Sequence, residues 1–166
     1  MKSKVKYSPT IKIVLTDVDG VLTDGGMYYS KEGDLMKKFF VRDGMGVTLL
    51  LKNNISTIIV TKEQNSLIKR WATKMKIKKL YDGVQDKDLI LEKICKNYKV
   101  DPNQIAFIGD DINDVGLLKK VGLSAVPQDG ISEAKKVSHY ICKNKGGHGA
   151  FREFADLIIS KQKIKF

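Results

Sequence analysis

The sequence predicts a three-layer, doubly wound α/β domain: a Rossmann-like parallel sheet with a β-hairpin inserted after strand 1. Three observations predict it. Short runs rich in β-branched residues recur along the chain, helix-period segments separate them, and one stretch, 26–41, breaks the alternation. At 166 residues the expectation is a single domain, 1–166, that buries roughly 70% of its unfolded surface.

The first strand is Ile11–Thr16, a near-continuous apolar run suited to burial on both faces of a parallel sheet. Asp17-Val18-Asp19-Gly20 ends it, and Gly20 lets the backbone turn sharply. The hairpin follows, with Met27-Tyr28-Tyr29 and Leu35 to Val41 flanking a Gly-containing turn, Lys31-Glu32-Gly33-Asp34. Beyond it the pattern predicts helix 43–53, strand Ile55–Val60, helix 64–76 and a short strand Lys79–Tyr81. Helix 86–98 carries Leu89, Ile90, Ile94 and Cys95 on one face, with Asp86 as its N-cap. Strand Gln104–Ile108, helix 111–121, strand Leu123–Val126, helix 130–137, a candidate sixth strand His139–Cys142 and helix 150–161 complete the order.

Composition removes several function classes. No apolar stretch approaches the ~18 residues that span a bilayer. The basic N-terminus has a short apolar run broken by Lys12 and no small-residue cleavage site. Cys95 and Cys142 make no disulfide framework and read as buried thiols, so a cytoplasmic protein is expected. The net charge of +11 is nearly all Lys, with Arg only at positions 42, 70 and 152. Because Arg is the residue suited to bidentate phosphate and base contacts, a basic field for small anions is expected rather than a nucleic-acid surface.

The chemistry collects at the carboxyl ends of the strands, where such sheets bind ligands. Asp17 and Asp19 lie two apart on extended chain and point the same way, so they repel unless a cation or proton is shared. Thr61 ends the second strand, Lys87 starts the helix after the third, and Gly109-Asp110-Asp111 with Asp114 follows the fourth. Oxygen ligands of this kind suit Mg²⁺, held by Asp17, a backbone carbonyl near Asp19, and Asp110. Asp114, i+4 from Asp110, then orients water or Lys87 from behind, with Asp111 beside it. What remains is a phosphate-shaped hole closed by Thr61 and Lys87. Asp17 is then the nucleophile that forms an aspartyl-phosphate, and Asp19 the general acid that later activates water.

Asp17-Val-Asp-Gly-Val-Leu-Thr, Thr61, Lys87 and Gly109-Asp-Asp-x-x-Asp114 resemble the four motifs of the haloacid dehalogenase superfamily of phosphatases, over essentially the whole chain. The resemblance implies Mg²⁺-dependent phosphomonoester hydrolysis. Neither the stretch from Asp19 to Thr61 nor that from Thr61 to Lys87 has room for a cap domain, so the site is open. Asp24-Gly-Gly-Met-Tyr-Tyr29, Val41-Arg-Asp-Gly44, Tyr81-Asp-Gly83 and Gly146-Gly-His-Gly-Ala-Phe-Arg-Glu-Phe154 are similar to the capless phosphatases of 3-deoxy-ulosonic acid phosphates. That family implies a homotetramer whose neighbours close the site, and a sugar-acid phosphate substrate. It also implies Arg42, Asp43, Gly44, Glu63, Arg70 and His148 on the substrate side, Arg42 pairing with the substrate's carboxylate. Thr61-Lys62-Glu63 stands where the octulosonate enzymes usually carry Thr-Gly-Arg, and Glu63 tilts the expectation toward the nine-carbon nononate 9-phosphate (KDN type), with the eight-carbon octulosonate 8-phosphate as the alternative. A non-catalytic assembly module of a sialic-acid cytidylyltransferase is the rival from another class; it predicts loss of motif residues, and Asp17, Asp19, Lys87 and Asp110 are all present.

Overall fold

The computed structural model describes residues 10–162. Its main sheet has six parallel strands in the order β5-β4-β1-β6-β7-β8, formed by β1 (Ile13–Thr16), β4 (Ser56–Val60), β5 (Lys79–Tyr81), β6 (Ile105–Ile108), β7 (Leu123–Val126) and β8 (Tyr140–Ile141). The chain grows outward from β1 to one side and then to the other, so the order reverses between β1 and β6. Crevices at such a reversal are where doubly wound sheets hold ligands. The aligned register Leu15↔Phe107 and Thr16↔Ile108 brings the ends of these two strands level.

Strand periodicity sorts the core into two layers. Val14, Ile59, Ala106, Ile108 and Ala125 face α1 (Val41–Lys52), α2 (Ser66–Lys74) and α6 (Ala150–Lys161) through Val47, Leu50, Ile68, Phe151 and Phe154. Ile13, Leu15, Ile58, Val60 and Phe107 face α3 (Lys87–Tyr98), α4 (Val115–Lys120) and α5 (Ser132–Val137) through Leu91, Ile94, Leu117 and Ala134. Residues i and i+1 of a strand serve opposite layers, which is why the strands read as unbroken apolar runs. No cap domain covers the sheet edge among the described residues, and none of their helices is long and apolar enough to cross a membrane.

Two expected elements are reshaped. The hairpin is shorter than 26–41: β2 (Tyr28–Ser30) pairs with β3 (Gly33–Met36), and Phe39 forms a lone antiparallel bridge to Thr23. Phe39 leaves the hairpin because it stacks on Trp71 at 4.7 Å between ring centres, and Val41 already opens α1. The expected helix 111–121 begins as a 3₁₀ turn, Ile112–Asp114, before α4. There Asp111 caps the turn and the Asp114 carboxylate accepts the Asp110 and Asp111 N–H groups, a capping box that starts the segment as a tight first turn before the α-helix proper.

Candidate active site

Asp17 sits one residue beyond β1, its N–H bonded to the Ile108 carbonyl of β6 at 3.0 Å. Its Oδ1 accepts from the Val18 N–H at 2.7 Å, and Lys87 Nζ stands 2.8 Å from Oδ2. Lys87 comes from the first turn of α3, placed by the Asp86 N-cap, whose side chain accepts the Asp88 N–H at 2.9 Å. The Lys87 side chain is 1% exposed, and its second partner is Asp114 Oδ1 at 2.7 Å. Asp114 spends its other oxygen on the N–H groups of Asp110 (2.9 Å) and Asp111 (3.2 Å). One buried carboxylate therefore both orients the lysine and shapes the loop after β6.

Any side chain at Gly20 would be strained. Its φ is +83°, and a Cβ there would lie 2.1 Å from Asp110 Oδ2. Gly146 is held from the other side, where a Cβ would fall 1.8 Å from the Gly20 carbonyl oxygen. The Gly146–Gly149 loop thus braces the turn that carries Asp19.

Negative charge exceeds positive at this edge. Oxygens of Asp17, Asp110 and Asp114 lie within 4.8 Å of one another around a single ammonium. Burial pushes the Asp17 carboxyl up to about 7, with Lys87 pulling it down and Asp114 pushing it further up. Burial and then the Asp17, Asp114 and Asp111 charges push Asp110 up to about 8. Burial alone would lower Lys87, but Asp17 and Asp114 outweigh it and hold the ammonium above its ordinary value. Asp110 Oδ1 is buried without a hydrogen-bond partner. An orphaned carboxylate oxygen in a patch with excess negative charge is the donor set a hard divalent cation fits.

Beside this cluster is a cavity of about 160 Å³ lined by Asp17, Asp19, Thr61, Lys62, Glu63, Asp110, Asp111 and Asn113. Thr61 is buried at the end of β4, its hydroxyl 3.4 Å from the Glu63 N–H. Asp19 Oδ1 accepts from Lys37 Nζ at 2.7 Å and from Thr23 Oγ1 at 3.1 Å, while its Oδ2 is buried without a partner. The cavity offers several carboxylates, the Thr61 hydroxyl and Lys62 around a space of phosphate size, and the Lys87 ammonium stands behind it on Asp17 Oδ2.

The expected substrate-side residues are scattered. Glu63 lines the cavity. Arg42 and His148 instead line a separate cleft of about 440 Å³ with Arg152 and Asp156, between α1 and α6. Asp43 is fully buried and accepts the Arg152 N–H at 2.9 Å, and burial raises its carboxyl to about 6. A Cβ on Gly44 would meet Met75 Sδ at 2.7 Å, and Arg70 is exposed on α2. Within one chain Asp43 ties α1 to α6, and Gly44 lines a cavity of about 410 Å³ with Phe39, Trp71 and Met75, away from the Asp17 cavity. Sequence reasoning missed Lys37, and it gave no role to Thr23 or Asn113 although both lie within the motifs it read. For Lys37 the sequence held no signal: Lys38 beside it is the same residue type, and only the structure buries one side chain and exposes the other.

A model of the haloacid dehalogenase-like hydrolase family matches residues 52–154. The 3-deoxy-D-manno-octulosonate 8-phosphate phosphatase of Yersinia pestis is 35% identical over 158 residues, covering 95% of this chain and 84% of that one. The same enzyme from Escherichia coli K12 is 33% identical over equal spans. The Moraxella catarrhalis phosphatase of that name, solved in complex with a magnesium ion, a phosphate ion and a KDO molecule, superposes with a TM-score of 0.90 at 33% identity. It covers 92% of this chain and 88% of that one. The cobalt-bound Haemophilus influenzae phosphatase gives 0.90 at 34% identity, with 93% and 90% covered.

Proposed function

The chain belongs to the haloacid dehalogenase-like hydrolase family, and from that premise we propose that it is a phosphatase hydrolysing 3-deoxy-D-manno-octulosonate 8-phosphate. One observation carries the phosphatase chemistry: Asp17, Lys87 and Asp114 form a buried chain of contacts at the sheet's reversal, opening on a phosphate-sized cavity. The relatives favour the eight-carbon ester over the nine-carbon acid that Glu63 suggested, since those described above are named for the octulosonate.

Asp17 is assigned the attack on phosphorus, with Thr61 and Lys87 steadying the equatorial oxygens. Asp19 is assigned the proton given to the departing sugar oxygen and later taken from water. Asp17, Asp110 and a backbone carbonyl near Asp19 would hold Mg²⁺, which supplies charge neutralisation on the transferring group. Asp114 holds Lys87 in place. At about 160 Å³ the cavity is small for an eight-carbon acid; Met27, Tyr29, Leu35 and Met36 of the hairpin are more than half exposed. Both facts suit a homotetramer in which neighbours complete the sugar side, bringing in Arg42 or His148 from another copy. A cytoplasmic setting goes with this reading.

A substrate panel tests it. Phosphate release should need Mg²⁺ and favour the octulosonate 8-phosphate over the nononate 9-phosphate by about tenfold in kcat/KM, a preference of about 1.4 kcal/mol, with the active species sedimenting as a tetramer. Preference for the nine-carbon ester, or an active monomer, overturns the corresponding part.

The raised carboxylates predict a pH-dependent response to metal. Asp17 and Asp110 lie above their ordinary 3.8 in the folded chain. Metal-free protein therefore binds more protons folded than unfolded between about pH 4 and 8, and its stability falls as pH rises through that window. Magnesium at about 100 times its Kd should raise Tm by roughly 5–10 °C at about pH 8, and by clearly less near pH 5. Melting curves with chelator or Mg²⁺ at both pH values check this, and equal gains would count against a metal on these carboxylates.

A further inference from the structure

Lys37 lies between β3 and α1, yet its side chain is 8% exposed. Its ammonium stands 2.7 Å from Asp19 Oδ1 and 3.4 Å from Glu63 Oε2. The same arm is tied once more to the loop after β4, through the Asn65 amide donating to Asp34 Oδ2. Asn65 is the N-cap of α2. The hairpin arm is therefore docked over its own chain's Thr61–Asn65 loop by two polar ties, only one of which touches Asp19.

That contact divides the two oxygens of Asp19. Oδ1 takes both donors, Lys37 and Thr23, and Oδ2 is buried with none. A carboxylate bound at one oxygen cannot turn about its Cβ–Cγ bond without losing those bonds. We propose that Lys37 is a positioning residue that presents Asp19 Oδ2 to the scissile ester. This rests on the reading of Asp19 as acid and base given above.

In the first step a bond forms from Asp17 oxygen to phosphorus, the ester P–O bond breaks, and the proton on Asp19 Oδ2 passes to the departing oxygen. In the second, water's oxygen bonds to phosphorus, its proton returns to Oδ2, and the bond to Asp17 breaks. Lys37 exchanges no proton in either step. It fixes the site from which the proton comes, and misplacing such a group by about 1 Å can cost ~10²-fold.

Leaving-group dependence separates this role from a merely structural one. p-Nitrophenolate departs without a proton, whereas phenolate needs one, and kcat/KM reports only the steps through departure. Lys37→Met should lower kcat/KM for phenyl phosphate about 30-fold and for p-nitrophenyl phosphate less than about 3-fold. Lys37→Arg should restore phenyl phosphate turnover to within about 3-fold of wild type, because it returns a donor to Oδ1. Lys38→Met, whose parent side chain is more than half exposed, should change neither ester. Asp34→Ala, which cuts the hairpin's other tie, should leave the ratio of the two esters unaltered.

Equal losses on both esters in Lys37→Met, or the same signature from Asp34→Ala, overturns the proposal. Should Lys37→Met fail to fold, Lys37→Leu, which likewise brings no donor to Asp19 Oδ1, reads the same ratio. Wild-type turnover of the octulosonate ester tests the substrate assignment separately, since the aryl pair does not depend on it.

Discussion

Asp17→Asn abolishes turnover by about 10⁴-fold or more in kcat, because an amide cannot form the phosphoryl-enzyme bond. Fold should survive the change. Asparagine keeps an oxygen for Lys87 or the Val18 N–H, and it removes a carboxylate that burial already pushes up to about 7. The expected result is a folded, inactive protein, read by single-turnover phosphate release beside a melting curve. Activity within about 100-fold of wild type would mean that Asp17 is not the nucleophile.

Lys87→Met should cost both activity and stability. Lys87 is the ammonium between Asp17 Oδ2 and Asp114 Oδ1, at 2.8 and 2.7 Å, and its side chain is 1% exposed. Removing one partner from a buried ion cluster costs about 3–5 kcal/mol, since the carboxylates left behind stay desolvated without a counter-charge. The sign with pH follows from the acids. Protonation of Asp17 on the acid side removes part of the uncompensated charge, so the loss should be larger near pH 8 than near pH 5. Denaturant titration of the metal-free variant at both values checks it. A loss below about 1 kcal/mol at the higher pH would show that the cluster tolerates its own charge.

The lines of the fold that depend on short-range pattern were readable. Ile13–Thr16 and Ser56–Val60 fall where β-branched and apolar residues cluster, and Asp86 caps α3 as its spacing predicts. Strand ends bearing Asp17, Thr61 and Asp110 were legible for the same reason, since the end of an apolar run is a local signal. The hairpin's second arm was misread because the same alternation suits a paired strand and a lone extended segment. Only the stacking of Phe39 on Trp71, 32 residues away in sequence, decides between them.

The sequence by itself determined which groups carry the chemistry: two carboxylates, a hydroxyl, a lysine and an acidic loop, ordered along strands that a parallel sheet must bring to one edge. Tertiary structure alone decided how those groups are shared. Asp114 divides itself between Lys87 and the Asp110 loop; Lys37 reaches from the hairpin to Asp19; Asp43, Arg42 and His148 sit on the α1 and α6 side, apart from the cavity. Spacing along the chain reports periodicity and local bonds, whereas the partner of a buried charge is set by which distant segment reaches it first and by what water is excluded when it does.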